Sequence, residues 1–95
     1  MPYFVLRYDD VVDDYVNRRA PFRAEHLTLA RDAQARGEIV MAGAVGDPPS
    51  GALFVFRSDS ADAARRFAEN DPYVTNGVVR AWRVQPWHVV IGGQE

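Results

Sequence analysis

Leu53-Phe54-Val55-Phe56 is an unbroken apolar run inside the segment "ALFVFRS", whose aromatic and β-branched composition predicts a strand over residues 52–58. Successive strand side chains point to opposite faces, so Phe54 and Phe56 oppose Leu53 and Val55. A sheet wetted on one side alternates apolar with polar residues, and this strand does not. Residues 39–42, Ile-Val-Met-Ala, repeat the pattern. Both faces of the sheet are therefore expected to be buried. One face can be covered by helices of the chain, and a second copy is the economical cover for the other.

The remaining segments supply a βαββαβ order. "YFVLRY", residues 3–8, is a first strand that runs into the acidic stretch "DDVVDD", expected to be a long loop. A helix is predicted from about Pro21 to Gly37, with the glycine as its C-terminal stop. "EIVMAGAVGD" is a second strand, "DPPSG" a turn, and residues 52–58 the third strand. Ser60 can cap a second helix across "ADAARRFAEN", with Ala64, Phe67 and Ala68 facing inward and Asp71-Pro72 ending it. After Gly77, "VVRAWRVQPW" is the fourth strand, with Pro86 near its exit. This order predicts an α+β, ferredoxin-like antiparallel sheet with two helices on one face. With 95 residues and no break in composition, the chain is expected to be a single domain, 1–95.

Composition removes whole classes of chemistry. The chain has no cysteine, which excludes thiolate nucleophiles and Cys-based zinc sites. All eleven basic residues are arginine, so Schiff-base chemistry and a Walker-type phosphate loop are excluded too. A formal charge of −2 without basic blocks argues against nucleic acid as a partner. No apolar run is long enough to span a membrane and no signal-like start is present, which predicts a cytoplasmic protein without membrane association.

Carboxylate, histidine, tyrosine, hydroxyl and arginine chemistry remain. In "RAEHLTLARDAQARG", Phe22, His26, Leu29 and Ala33 share one helical stripe, so His26 is expected to face inward. A lone inward histidine is commonly a hydrogen-bonded core residue, and an aspartate before proline, such as Asp71, commonly makes an Asx turn. Tyr73 can be a core aromatic or can orient a ligand. Arg7 and Arg23 can be solvated or can hold a carboxylate through paired hydrogen bonds. His88 beside Trp87 is expected to be exposed. No metal-ligand spacing, nucleophile elbow or dinucleotide fingerprint is present, so neither a metal nor a cofactor is expected.

Four segments together resemble the YCII-related (YciI-like) family: "RAEHL", "MAGAVGD", "ENDPYVTNGVV" and "VQPWHVV". The likeness runs from Tyr3 to about Val90, and its most specific parts are Arg23 with His26, Asp71-Pro72-Tyr73 followed by Gly77, and Pro86-Trp87. It implies a dimeric α/β barrel, in the broad superfamily of the muconolactone isomerases, and a His–Asp pair lining a pocket. Carried over by motif, that pair is His26 and Asp71, the expected catalytic residues, with Arg7, Arg23 and Tyr73 as expected substrate-binding residues. Two positions differ from the family pattern: Ala44 stands where proline is frequent, and Ala52 where serine is frequent.

The activity for which the family is best known is a dehydrochlorination of a chlorinated hydroxyquinol. The expected function is thus cofactor-independent acid–base catalysis, a lyase or isomerase acting on a small cyclic or phenolic compound. The alternative is a non-catalytic small-molecule binding or accessory protein. The expected assembly is a homodimer or a higher homo-oligomer.

Overall fold

The computed structural model describes residues 1–93. The elements follow the order β1 (Tyr3–Val11), α1 (Tyr15–Arg19), a 3₁₀ turn (Ala20–Phe22), α2 (Arg23–Ala35), β2 (Ile39–Val45), β3 (Gly51–Arg57), α3 (Asp62–Asn70), α4 (Pro72–Thr75) and β4 (Val79–Trp87). The four strands form one sheet in the order β2-β3-β1-β4, and every neighbouring pair is antiparallel. This is the ferredoxin-like arrangement.

Local chemistry accounts for the main boundaries. Helix α2 ends where Gly37 takes φ 82°, a left-handed conformation that glycine adopts without steric cost. The amides of Gly37 and Glu38 then turn back onto the carbonyls of Gln34 and Ala33. That pair of bonds is a Schellman stop, which satisfies carbonyls the helix leaves open. Helix α3 starts with the Ser60 hydroxyl accepting from the Asp62 amide at 3.2 Å. Pro72 begins the one-turn helix α4, where a missing N–H costs nothing.

The core lies between the sheet and the helices. Leu6, Tyr8, Phe54 and Phe56 supply its sheet side, while Ala64, Phe67 and Ala68 supply the α3 side. His26 and Ala33 are buried on α2, with Phe22 and Leu29 packed against the same core, as the helical stripe requires.

Several expectations need correction. The α/β barrel does not form: the sheet stays open, with β2 and β4 as its two edges, so the fold is α+β without closure. Closing a sheet requires its first and last strands to hydrogen-bond, and four strands are too few to curl around a packed interior. The helices are also more than two. The segment read as a long loop is strand through Val11, with register shifts against β4 after Arg7, and is followed by α1.

The second sheet face is not covered by the described residues. Met41, Val45 and Trp87 are 65%, 51% and 47% exposed, although Val5 and Val55 are buried by their neighbours. A register shift between Ile39 and Met41 puts Ile39 opposite Phe56 on the core side and Met41 opposite Val55 on the open side. Among the described residues no helix is long and apolar enough to cross a membrane.

Candidate functional site

The backbone between α3 and α4 explains why Asp71 points inward. Asp71 is extended (φ −71°, ψ 125°), closing α3 and opening α4. A carboxylate in this position accepts the first free amide of the next helix, and Asp71 Oδ1 takes the Tyr73 N–H at 3.0 Å. The side chain is fully buried, so its remaining oxygen capacity must be met by the protein.

Two side chains meet it. The Tyr8 hydroxyl donates to Asp71 Oδ2 at 2.7 Å. His26 Nδ1 lies 2.9 Å from both Asp71 oxygens. Burial, and then the adjacent Asp71 charge, push the Tyr8 phenol far above its ordinary range, so it remains a neutral donor. A carboxylate can only accept; Nδ1 therefore carries the hydrogen, and in the neutral imidazole the lone pair sits on Nε2.

The His26 ring is held on three sides. Tyr73 stacks on it, with centroids 3.9 Å apart and planes 6° from parallel. Phe54 and Phe67 meet it edge-on at 6.0 and 6.3 Å. His26 also lines a cavity of about 420 Å³ between α2 and the β2 edge of the sheet. Its Nε2 has no hydrogen-bond partner among the described residues. The volume lies in the range of small-molecule sites.

The other expected residues divide. Arg23 lines the cavity, and its Nη1 reaches the Tyr73 hydroxyl at 3.5 Å, a long contact. Tyr73 also lines it, from a ring that is itself buried. Arg7 is not there: it pairs in register with Leu53 and Arg83, on the sheet face opposite Leu6 and Tyr8. Strand alternation decides this, since Arg7 directly precedes Tyr8, ahead of the register shifts in β1, and so points to the other face. His88 is exposed beyond β4, away from the cavity-lining residues.

Tyr8 was missed by sequence reasoning. The signal was available, because alternation in β1 puts its hydroxyl on the core face with Leu6, where a buried phenol needs a partner. Tyr15, in the segment expected to be loop, was missed as well, and it lines the cavity. Ala44 and Ala52, the two departures from the family pattern, pair with each other across β2 and β3 in the cavity wall. The wall is apolar at both positions. Among the described residues no group of three or more His, Cys, Asp or Glu side chains is arranged to hold a metal ion.

The YCII-related domain model matches residues 1–88, and the chain belongs to that family. Among solved structures it is similar to the 5-chloro-2-hydroxyhydroquinone dehydrochlorinase (TftG) from Burkholderia phenoliruptrix AC1100, in complex with 2,5-dihydroxybenzoquinone. The TM-score is 0.73 at 22% sequence identity, over 90% of this chain and 93% of that chain. At this identity the likeness is one of fold. No curated protein matches the sequence.

Proposed function

We propose that this member of the YCII-related family is a cofactor-independent acid–base catalyst, with His26 as the proton-transfer group and Asp71 as its orienting carboxylate. The observation that carries the proposal is the fixed imidazole. Nδ1 is tied to a buried carboxylate that accepts from three donors, while Nε2 has no partner among the described residues, on a residue that lines the cavity. A base needs that division: one nitrogen sets the tautomer and raises basicity, and the other exchanges the proton.

The chemistry is an elimination or isomerisation on a small cyclic or phenolic compound. Nε2 removes a proton from a ring carbon or hydroxyl, and the released electron pair forms a new double bond. In an elimination a chloride leaves, or the imidazolium returns its proton to a departing hydroxyl and water leaves. In an isomerisation the same proton returns to another carbon. The solved dehydrochlorinase of similar fold supports the elimination branch. Tyr73 and Arg23, which line the cavity beside His26, are the substrate-contacting groups of this reading.

Two copies pair through the helix-free sheet face, which carries Leu53, Met41, Val45 and Trp87. Exposed apolar area of this kind marks interaction surfaces.

The test is a turnover screen of chlorinated and hydroxylated phenols and quinols, followed by variants. His26→Ala is expected to lower kcat by about 10²–10⁴, the usual contribution of a general acid–base group. Asp71→Asn is expected to lose less, since it disturbs tautomer and basicity while keeping the imidazole. Full activity in His26→Ala refutes the assignment. Ligand binding without turnover across the screen makes the protein a binder.

A further inference from the structure

The cavity is charged in one sense only. Arg19, Arg23 and Arg31 line it together with His26, and among the described residues no carboxylate lines it. Four other arginines, Arg36, Arg65, Arg80 and Arg83, are each paired with an acidic side chain elsewhere on the molecule. The three cavity arginines, like Arg7, Arg18, Arg57 and Arg66, have no ion-pair partner among the described residues; what sets the three apart is that they share one concave wall. In a chain of net charge −2, unpaired cations gathered in one concave site are conspicuous, because low-dielectric walls concentrate their field.

A second, independent feature points the same way. Tyr15 is 4% exposed, and among the described residues its buried hydroxyl finds no acceptor, since the Arg19 guanidinium beside it can only donate. Its ring lies against Tyr73 on one side and under the Arg19 guanidinium on the other, 5.1 Å from the ring centre. Burial pushes its phenol above the ordinary value, against the opposing pull of Arg19, so the hydroxyl keeps its hydrogen to donate. A buried donor without an acceptor is costly, and an incoming oxygen would satisfy it.

Spacing along the helices then sets the ligand's orientation. Arg19 ends α1, Arg23 begins α2 four positions later, and His26 follows three positions on. Three positions along α2, close to one helical turn of ~5 Å, separate the backbone positions of Arg23 and His26, which puts both side chains on one face of the helix beside the cavity.

We infer that the cavity selects a cyclic compound carrying a carboxylate, which Arg19 and Arg23 hold and the Tyr15 hydroxyl completes, presenting the ring to His26. Arginine's planar fork matches the two oxygens of a carboxylate. The inference names the substrate class for the acid–base reading above and rests on it for the role of His26, while the recognition of the anion stands by itself.

The test is an NMR titration of the full chain with benzoate, with benzamide as the neutral isostere and inorganic phosphate as a second anion. Benzoate is expected to move the amide signals of residues 15–31 and to bind at least tenfold more tightly than benzamide. Arg19→Gln and Arg23→Gln are each expected to weaken benzoate about tenfold, in line with hydrogen bonds to a charged group. Tyr15→Phe is expected to weaken it several-fold, and Arg66→Gln, an exposed arginine on α3, to leave it unchanged.

Equal affinity for benzamide overturns the inference, as does benzoate binding indifferent to both arginine variants. Phosphate binding more tightly than benzoate overturns the carboxylate assignment. His26→Gln is expected to retain benzoate affinity even where turnover is lost, so failure of the catalytic reading and failure of this one give different results.

Discussion

Replacing Tyr8 with phenylalanine removes one oxygen and leaves the ring, and with it the edge-on contact to Phe54 at 4.8 Å. No cavity opens, so the change isolates the bond to Asp71. That bond, 2.7 Å long and completely buried, runs from a neutral phenol to a carboxylate. A hydrogen bond to a charged group contributes about 1.5–3 kcal/mol, and the same loss is expected in the stability of Tyr8→Phe at neutral pH.

The alkaline limb gives an internal check. The folded-state phenol titrates well above the unfolded value of 10.0, so its contribution is fully present below pH 10 and is lost as pH rises past it, because only the unfolded chain releases the proton there. Wild-type stability should therefore fall above pH 10 by up to about 1.4 kcal/mol per pH unit on account of Tyr8, a fall the variant lacks. A deficit of about 1.5–3 kcal/mol in Tyr8→Phe should close within roughly one to two units above pH 10. Urea midpoints at pH 7, 10, 11 and 12, analysed with a common slope, measure both quantities. A neutral-pH deficit below about 0.5 kcal/mol, or one that does not shrink with pH, refutes the account of this bond.

Asp71→Asn should change the ring nitrogen NMR shifts of His26 that report which nitrogen carries the hydrogen, since the imidazole loses its carboxylate acceptor at Nδ1; unchanged shifts mean the two residues do not act as a pair. Gly51→Ala should destabilise the fold by 1 kcal/mol or more, on the order of an overpacked core site, because an added Cβ runs into the Tyr8 carbonyl oxygen; a wild-type melting curve counts against this close approach of β3 to β1. Sedimentation at micromolar concentration should give twice the chain mass, and Met41→Glu on the open sheet face should shift the population toward the monomer. A stable monomer of the unmodified chain refutes pairing through that face.

Much of the architecture was legible because it depends on local signals. The βαββαβ order, the glycine stop at Gly37, the helix break at Asp71-Pro72 and the inward stripe of α2 follow from period, turn chemistry and backbone constraints that neighbouring residues carry. The α1 segment was not legible, since its five residues, "YVNRR", are too few to show a helical period. The limit of β1 depends on pairing with β4, a partner about 70 positions away.

At the site, residue types and motif order singled out His26, Asp71, Arg23 and Tyr73, and composition alone removed thiol, lysine and P-loop chemistry. Strand alternation could have moved Arg7 away from the site and brought Tyr8 into it. Contact between α2, β1 and the α3–α4 junction is a different kind of fact. His26 and Asp71 stand 45 positions apart, and Tyr8 and Asp71 stand 63 apart. Only the folded sheet, with its helices laid on one face, brings three buried polar groups within hydrogen-bond range. The same fold leaves the cavity arginines without counter-charges among the described residues: the acids that pair with other arginines, Asp9, Asp10, Glu38 and Asp62, do not line the cavity.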